Sequence, residues 1–400
     1  MPTNLGIVKP SAKAVQALKA LSFPIIDSHH HLWDVTGTTP RIQGAWASYD
    51  FKKHGFEAPK TPRVPKVAGA AEAMSEEDLT AMTGVILNTF GSTQAIFNNF
   101  LNEDLIAFAE EEAGVKLGAS VYIECGWGIH EPNAQAQETK YIEDMSYKTT
   151  GGKISTGIVG HTDLFNNTLE ATREEMKAHV AASAHFRGIR YQLAHPGERP
   201  GMMPSCPQEK IVHNENFLKN FAVLEEFNST FEIWCYGHQL QDAIFLANKF
   251  PKTQFILDHF GTPIDIATKQ EVWDAWVRDF TALSKCPNVV VKLSGLMVQL
   301  GFDFHKRYPC GSSPGPSAQE IAASRFGDMT RLAIKLFKAE RCMWGSNFSV
   351  DWASARFGEL LAAFVICCQE ANMSQADLKK VFRENAIRVY SLKPTTSPNL

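Results

Sequence analysis

The sequence predicts an α/β protein, a (β/α)8 TIM barrel built as one domain over residues 1–400 with a long insertion after the first strand. Three observations predict it. Short apolar, β-branched runs recur eight times along the chain; each is followed by a longer stretch with helical spacing; and 400 residues lie within the range such barrels reach when their loops carry insertions. The strands are expected at 25–27, 119–124, 156–159, 188–192, 231–235, 254–257, 289–293 and 341–344. Right-handed crossovers between parallel strands would bring every strand's C-terminal end to one face, where the loops converge.

Between these runs, apolar residues recurring at three and four predict helices over 214–227, 239–250, 270–284, 318–338 and 353–369. A last helix over 375–385 follows Ser374 as its N-cap. The segment 35–115 is too long for an ordinary βα connection. It begins rich in Pro and Gly, carries an apolar run at 84–87 and has helical spacing over 92–113, which predicts a lid over the barrel mouth or an inserted subdomain. A second irregular stretch, 307–316, follows the seventh strand on the same face.

Composition narrows the classes. With 44% hydrophobic and 20% charged residues the chain has the makeup of an ordinary globular protein, long enough to bury roughly three quarters of its unfolded surface. A net charge of -4 and the absence of any Lys/Arg block give neither nucleic acid nor an anionic membrane a footprint, so a small-molecule substrate is the expected partner. Cys125, Cys206, Cys235, Cys286, Cys310, Cys342, Cys367 and Cys368 include no CxxC pair and are read as reduced thiols. Residues 1–21 lack a signal-type apolar core and 360–368 is too short to span a bilayer, so a cytoplasmic location is expected. Barrels of this kind often pair as a homodimer, and no surface stripe in the sequence specifies one.

The chemistry starts at Asp27-Ser-His-His-His-Leu-Trp33. Side chains two apart on a strand point the same way, so His29 and His31 face one site. Two convergent imidazoles can hold a divalent metal, or polarise a carbonyl without one; equally, clustered histidines can simply cap a strand. Arg190, ending the fourth strand, is either a carboxylate clamp for substrate or half of a buried ion pair with Glu124 or Asp163. His195 and His161 belong to mouth-facing loops, and Trp33 and Trp344 flank strand ends where they could wall an apolar pocket or serve packing alone.

Together with that HxH, the motifs Arg187-Gly-Ile-Arg190, Leu257-Asp-His259-Phe-Gly261, Val291-Lys-Leu-Ser-Gly295 and Arg341-Cys-Met-Trp-Gly-Ser-Asn347-Phe, in this order, resemble the amidohydrolase-2 branch of the amidohydrolase superfamily. The resemblance spans 25–392 apart from 35–115, and is nearest to the TIM-barrel hydrolases that include L-fuconolactonase and other sugar lactonases, with 2-pyrone-4,6-dicarboxylate lactonase further off. It implies lactone hydrolysis at the C-terminal mouth of the barrel. Carried over by position, it implies site roles for His29 and His31, for His238 after strand five, for His259 after strand six, and for an acid after strand eight. There the chain departs: Asn347 stands where the family has an Asp, and an amide is no general base near neutral pH. Asp351, four residues on, and Glu124, ending strand two, are the alternative carboxylates.

Three functions follow. The leading one is a hydrolase opening a lactone or related cyclic ester, with His29, His31 and His259 polarising the carbonyl or holding a metal, zinc first; the missing Asp leaves a metal-free site open. The second is a non-oxidative decarboxylase of an aromatic or unsaturated acid, since relatives such as γ-resorcylate decarboxylase share the barrel and the HxH. The third is a barrel that binds a ligand without turnover.

Overall fold

In a computed structural model, which describes residues 6–35, 45–46, 48–60, 74–127, 133–151, 154–199, 202 and 204–393, eight parallel strands follow one another in sequence order around a nearly closed barrel. They are β1 (Ile25–His30), β2 (Leu117–Ile123), β3 (Gly157–Gly160), β4 (Phe186–Gln192), β5 (Thr230–Trp234), β6 (Phe255–Leu257), β7 (Val289–Leu293) and β8 (Cys342–Trp344). Every expected strand is present, and β1 runs three residues further than its apolar run. The seam between β8 and β1 is stitched beyond the ladder: Ser28 Oγ donates to the Trp344 carbonyl (2.7 Å), Asn347 N–H to that of His29 (2.8 Å) and His31 N–H to that of Phe348 (2.9 Å).

Alternation along the strands sorts side chains into two cores. Ile26, Val121, Val159, Ile256, Val290 and Met343 point into the barrel and pack with Ala386, Val389, Tyr390 and Leu392 of the C-terminal segment, which seals the N-terminal end of the barrel. The opposite faces of the strands pack on the surrounding helices. Those helices are α1 (Ala12–Leu18), α2 (Glu76–Phe90), α3 (Thr93–Phe97), α4 (Asn102–Ile106), α5 (Gln135–Thr150), α6 (Leu169–Ala182), α7 (Glu215–Glu226), α8 (Leu240–Lys249), α9 (Gln270–Leu283), α10 (Phe304–Arg307), α11 (Ala318–Ala323), α12 (Arg325–Phe337), α13 (Phe357–Glu370), α14 (Gln375–Lys379) and α15 (Asn385–Val389). None is long and apolar enough to cross a membrane among the described residues.

Three helix expectations change. The single helix expected over 318–338 breaks at Ser324, whose side chain caps α12 by accepting from Phe326 N–H. Ser374 does cap α14, but the helix beyond it loosens into a π-turn (Lys380–Glu384) before α15. Within 35–115, residues 36–44, 47 and 61–73 lie outside the described residues. The apolar run 84–87 belongs to α2, and the helix expected over 92–113 is divided into α3, α4 and a π-helical turn (Ala107–Glu112).

Local chemistry explains α2. Ser75 caps it by accepting from Asp78 N–H, Glu76, Glu77 and Asp78 meet the positive end of the helix dipole, and Gly91 ends it in the left-handed region at φ 77°. Trp46 Nε1–H donates to Thr83 Oγ1 (2.8 Å) and Tyr49 OH to Thr80 Oγ1 (2.9 Å), fastening its N-terminal half. At its other end Gly91 lies so close to Val298, after β7, that a Cβ there would approach Val298 Cγ1 to 2.4 Å.

Candidate active site

A shift of register between Asp27 and His30 reverses the alternation of β1. It turns His29 and His31 inward and sends His30 outward, where its Nε2 meets Ser120 Oγ (2.8 Å) beside Tyr122. Asp27 holds the kink by accepting from His29 N–H, Ser346 N–H and Ser346 Oγ–H. His259 arrives from the end of β6 in the left-handed region (φ 53°, ψ 40°). Its ring centroid lies 4.4 Å from that of His29, which lies 5.1 Å from that of His31. The structure thus brings the three expected histidines together, all buried.

Two glycines make the cluster fit. A Cβ on Gly295 would lie 2.4 Å from His259 Cβ, and one on Gly345 2.7 Å from His29 Cβ. The glycines of the Lys-Leu-Ser-Gly and Trp-Gly-Ser motifs are therefore spatial requirements of the histidines across from them.

Beneath the imidazoles lies a charged layer that the sequence reading did not assign. Lys292, on β7, places Nζ 2.5 Å from Glu232 Oε2 on β5, 3.3 Å from Asp258 Oδ1 and 3.1 Å from His29 Nδ1. Tyr390, from the C-terminal plug, donates to Glu232 Oε1 (2.5 Å). The signal was present in the sequence: a lysine inside Val-Val-Val-Lys-Leu and a glutamate inside Thr-Phe-Glu-Ile-Trp are charges on strands that otherwise read as buried.

Burial keeps the imidazoles neutral. It pushes His29 and His259 well below the usual imidazole value, and the Lys292 charge opposes a proton on either ring. His31 falls to about 3, from burial and then the Arg190 charge. His31 Nδ1 faces the Ile123 carbonyl at 3.0 Å, so it carries the proton and leaves a lone pair on Nε2. His259 Nδ1 is held by Ser294 Oγ at 2.8 Å.

The carboxylates divide. Glu124 is paired: Arg190 Nε donates to its Oε1 (2.7 Å), a guanidinium Nη to its backbone carbonyl (2.5 Å), and Gln192 Nε2 to Oε1 (3.0 Å). Burial opposes its charge, yet Arg190 and His161 hold its carboxyl well below the usual range. Arg190 therefore takes the ion-pair form of its two readings. Asp351 accepts from Asn347 Nδ2 (2.8 Å) and Leu296 N–H (2.7 Å), tying together the loops after β8 and β7, and burial raises its carboxyl to about 7. Asp258 is different: among the described residues neither of its oxygens, nor His29 Nε2, has a hydrogen-bond partner.

His29, Asp258 and His259 can place one ligand atom each within 4.8 Å of one another. Two neutral imidazoles and a carboxylate are donors suited to a divalent ion, and such an ion would satisfy His29 Nε2 and the Asp258 oxygens, which have no hydrogen bonds among the described residues although Oδ1 faces Lys292 at 3.3 Å. Lys292 qualifies the fit. If its ammonium donates to His29 Nδ1, the proton of His29 sits on Nε2; ligation through Nε2 requires it on Nδ1, facing Asp258 at 3.3 Å.

A cavity of about 260 Å³ opens above the cluster. His31, His259, Arg190 and Asn347 contribute to its barrel side, while Trp33, Trp46, Phe97 and the α2 residues Met82, Ile86 and Phe90 wall the other. Trp33 is pinned by paired backbone hydrogen bonds with Phe100 and lies parallel to His31 at 5.9 Å. Other expected site residues do not line this cavity. His238 is exposed in a 3-10 turn beside Tyr236; His195 Nδ1 accepts from Gly197 N–H; and Trp344 packs between Phe357 and Phe382 in the barrel–helix core.

The Amidohydro_2 family model, described as amidohydrolase, matches residues 131–392, and the chain belongs to that family. It is an enzyme of the amidohydrolase type, a hydrolase. The uncharacterized protein y4mH of Sinorhizobium fredii is 24% identical over 307 residues, 77% of this chain and 91% of that protein. L-fucono-1,5-lactonase of Burkholderia ambifaria is 22% identical over 258 residues, 64% of this chain and 76% of that one. A zinc-bound amidohydrolase from Burkholderia multivorans shares the fold with a TM-score of 0.61 at 20% identity, over 93% of this chain and 100% of that one.

Proposed function

We propose that the protein opens a lactone or related cyclic ester at the mouth of its barrel. The observation that carries the reading is the cluster of three buried, neutral imidazoles, with Asp258 facing His29 at 3.3 Å, beneath a cavity walled largely by apolar side chains. His259 and His31 reach the cavity with different offers: with Ser294 Oγ donating to its Nδ1, His259 can donate Nε2–H to the ester carbonyl, whereas the lone pair on His31 Nε2 accepts from water. A divalent ion, zinc by donor type, would be held by His29, Asp258 and His259, and when bound would polarise that carbonyl and acidify water. Asp258, which also faces Lys292 Nζ at 3.3 Å, is the carboxylate assigned to take a proton from water, since Glu124 is engaged with Arg190 and Asp351 with Asn347. On this reading Glu124 and Asp351 position the site, and His238, His195 and Trp344 stay outside the reaction.

The second reading, non-oxidative decarboxylation, draws on Asn347: that reaction needs no activated water. Initial rates in weak buffer discriminate, because lactone opening releases a proton and decarboxylation of a carboxylate consumes one. Acid release on lactones, lowered about 10²–10⁴-fold in Asp258→Asn and His259→Asn, is expected. Alkalinisation on aromatic acids with no acid release on lactones would replace the reading by the second.

A further inference from the structure

We propose that the substrate is a cyclic ester with an apolar body, an alkyl- or aryl-substituted lactone bearing no ring of hydroxyls; this rests on the lactone reading and names its substrate class. The cavity is two-sided. Among the described residues lining it, Arg190 is the one charged side chain. Most of its polar neighbours are already engaged: Arg190 and Gln192 with Glu124, Asn347 with Asp351, Thr89 with the Val85 carbonyl one turn back in α2. His31, His259 and the Ser205 hydroxyl remain, enough for one ester group and too few for a ring of hydroxyls besides.

The opposite wall is built for hydrocarbon. Met82, Ile86 and Phe90, spaced by four residues, form one stripe of α2, and Val85 lies beside it; all four are only half-buried although they face the interior of a cavity. Trp33, Trp46, Phe97 and Trp234 complete an aromatic surround. A hydroxylated sugar lactone would press its hydroxyls on this wall, and each one left unpaired would weaken binding roughly ten- to hundredfold. An alkyl or aryl substituent would instead cover the α2 stripe and gain about three- to fourfold per methylene.

The test measures proton release for δ-lactones of increasing side-chain length, from δ-valerolactone to δ-decalactone, against D-glucono-1,5-lactone. In parallel, quenching of tryptophan fluorescence by 2-alkyltetrahydropyrans, which cannot be hydrolysed, reads binding alone. The expected result is kcat/KM rising about threefold or more per methylene until the cavity is filled, with the gluconolactone at least 100-fold poorer. Ile86→Ser, and Met82→Ser as a second variant, should flatten that slope while retaining a cooperative melt. Faster turnover of the gluconolactone would overturn the inference and leave the lactone reading standing. Length-dependent pyran binding without turnover of any lactone would support the apolar site and overturn the lactone reading. An equal loss on short and long lactones in both variants would overturn the role of the α2 stripe.

Discussion

Gly295 shows how little tolerance the site has at single positions. Its φ of 81° is in the left-handed region, and the space its Cβ would fill holds His259 Cβ, Cγ and Nδ1 within 2.7 Å. Gly295→Ala must therefore move His259 or its own loop. The expected outcome is a loss of about 1–3 kcal/mol in urea unfolding and a fall in kcat/KM of about 100-fold, the effect of displacing a reacting group by roughly an ångström. A variant that keeps full activity would show that His259 is not held by this contact. The same scale explains what the sequence conveyed. His29, His31 and His259 were legible because alternation and strand ends locate inward positions. Lys292, Glu232 and Asp258 went unassigned because a charge within an apolar strand acquires its meaning from partners on other strands, here 60 residues from Lys292 to Glu232. Arg190 had two readings, and only the distance to Glu124 separates them.

Among the elements, the unit formed by α5, β3 and α6 carries a titratable lock. His179 on α6 is fully buried and stacked on Phe186; its Nδ1 meets Thr139 Oγ1 on α5 (2.8 Å) and its Nε2 the His161 carbonyl after β3 (2.8 Å). Burial lowers its pKa to about 4 from an unfolded value of 6.5. The unfolded chain therefore binds a proton at higher pH than the folded one. The stability of the folded state is fully present above pH 6.5 and is lost as pH falls toward 4, by about 1.4 kcal/mol per pH unit from this residue. In His179→Gln that component of the slope should vanish, so that the gap between wild type and variant narrows from pH 7 to pH 5 in urea titrations; parallel curves would remove His179 as its source. Neither α5 nor α6 was placed from the sequence. Their faces carry Glu138, Thr139, Glu175 and His179 as buried polar residues, which blurs the apolar period that marked α7 to α9. The break at Ser324 was hidden for the opposite reason, because the apolar spacing continues across a residue that caps a new helix.

At the scale of the molecule, the two ends of the barrel are closed by different pieces of chain. Described residues of the segment between β1 and β2, Trp46, Phe97 and the α2 stripe among them, wall the mouth, and the C-terminal segment seals the base. Tyr390 connects base and mouth: its hydroxyl meets Glu232, Glu232 meets Lys292, and Lys292 lies against His29 and Asp258. Removing residues 386–400 would uncover the inward core of Ile26, Val121, Ile256, Val290 and Met343 and expose Glu232 and Lys292 from below. Val389, Tyr390 and Leu392 alone contribute roughly 5–9 kcal/mol by burial, at about 1.5–3 kcal/mol each. That matches the whole stability of about 5–15 kcal/mol typical of a folded domain. The truncated chain is thus expected to lose its cooperative unfolding transition and to bind a hydrophobic dye. Tyr390→Phe isolates the polar part: it keeps the packing and leaves Glu232 Oε1 without its donor, for an expected loss of about 1–3 kcal/mol in urea unfolding. A truncated chain with an unchanged transition would show that the barrel closes without its plug. The charged layer under the histidines would then draw its shielding from the strands alone.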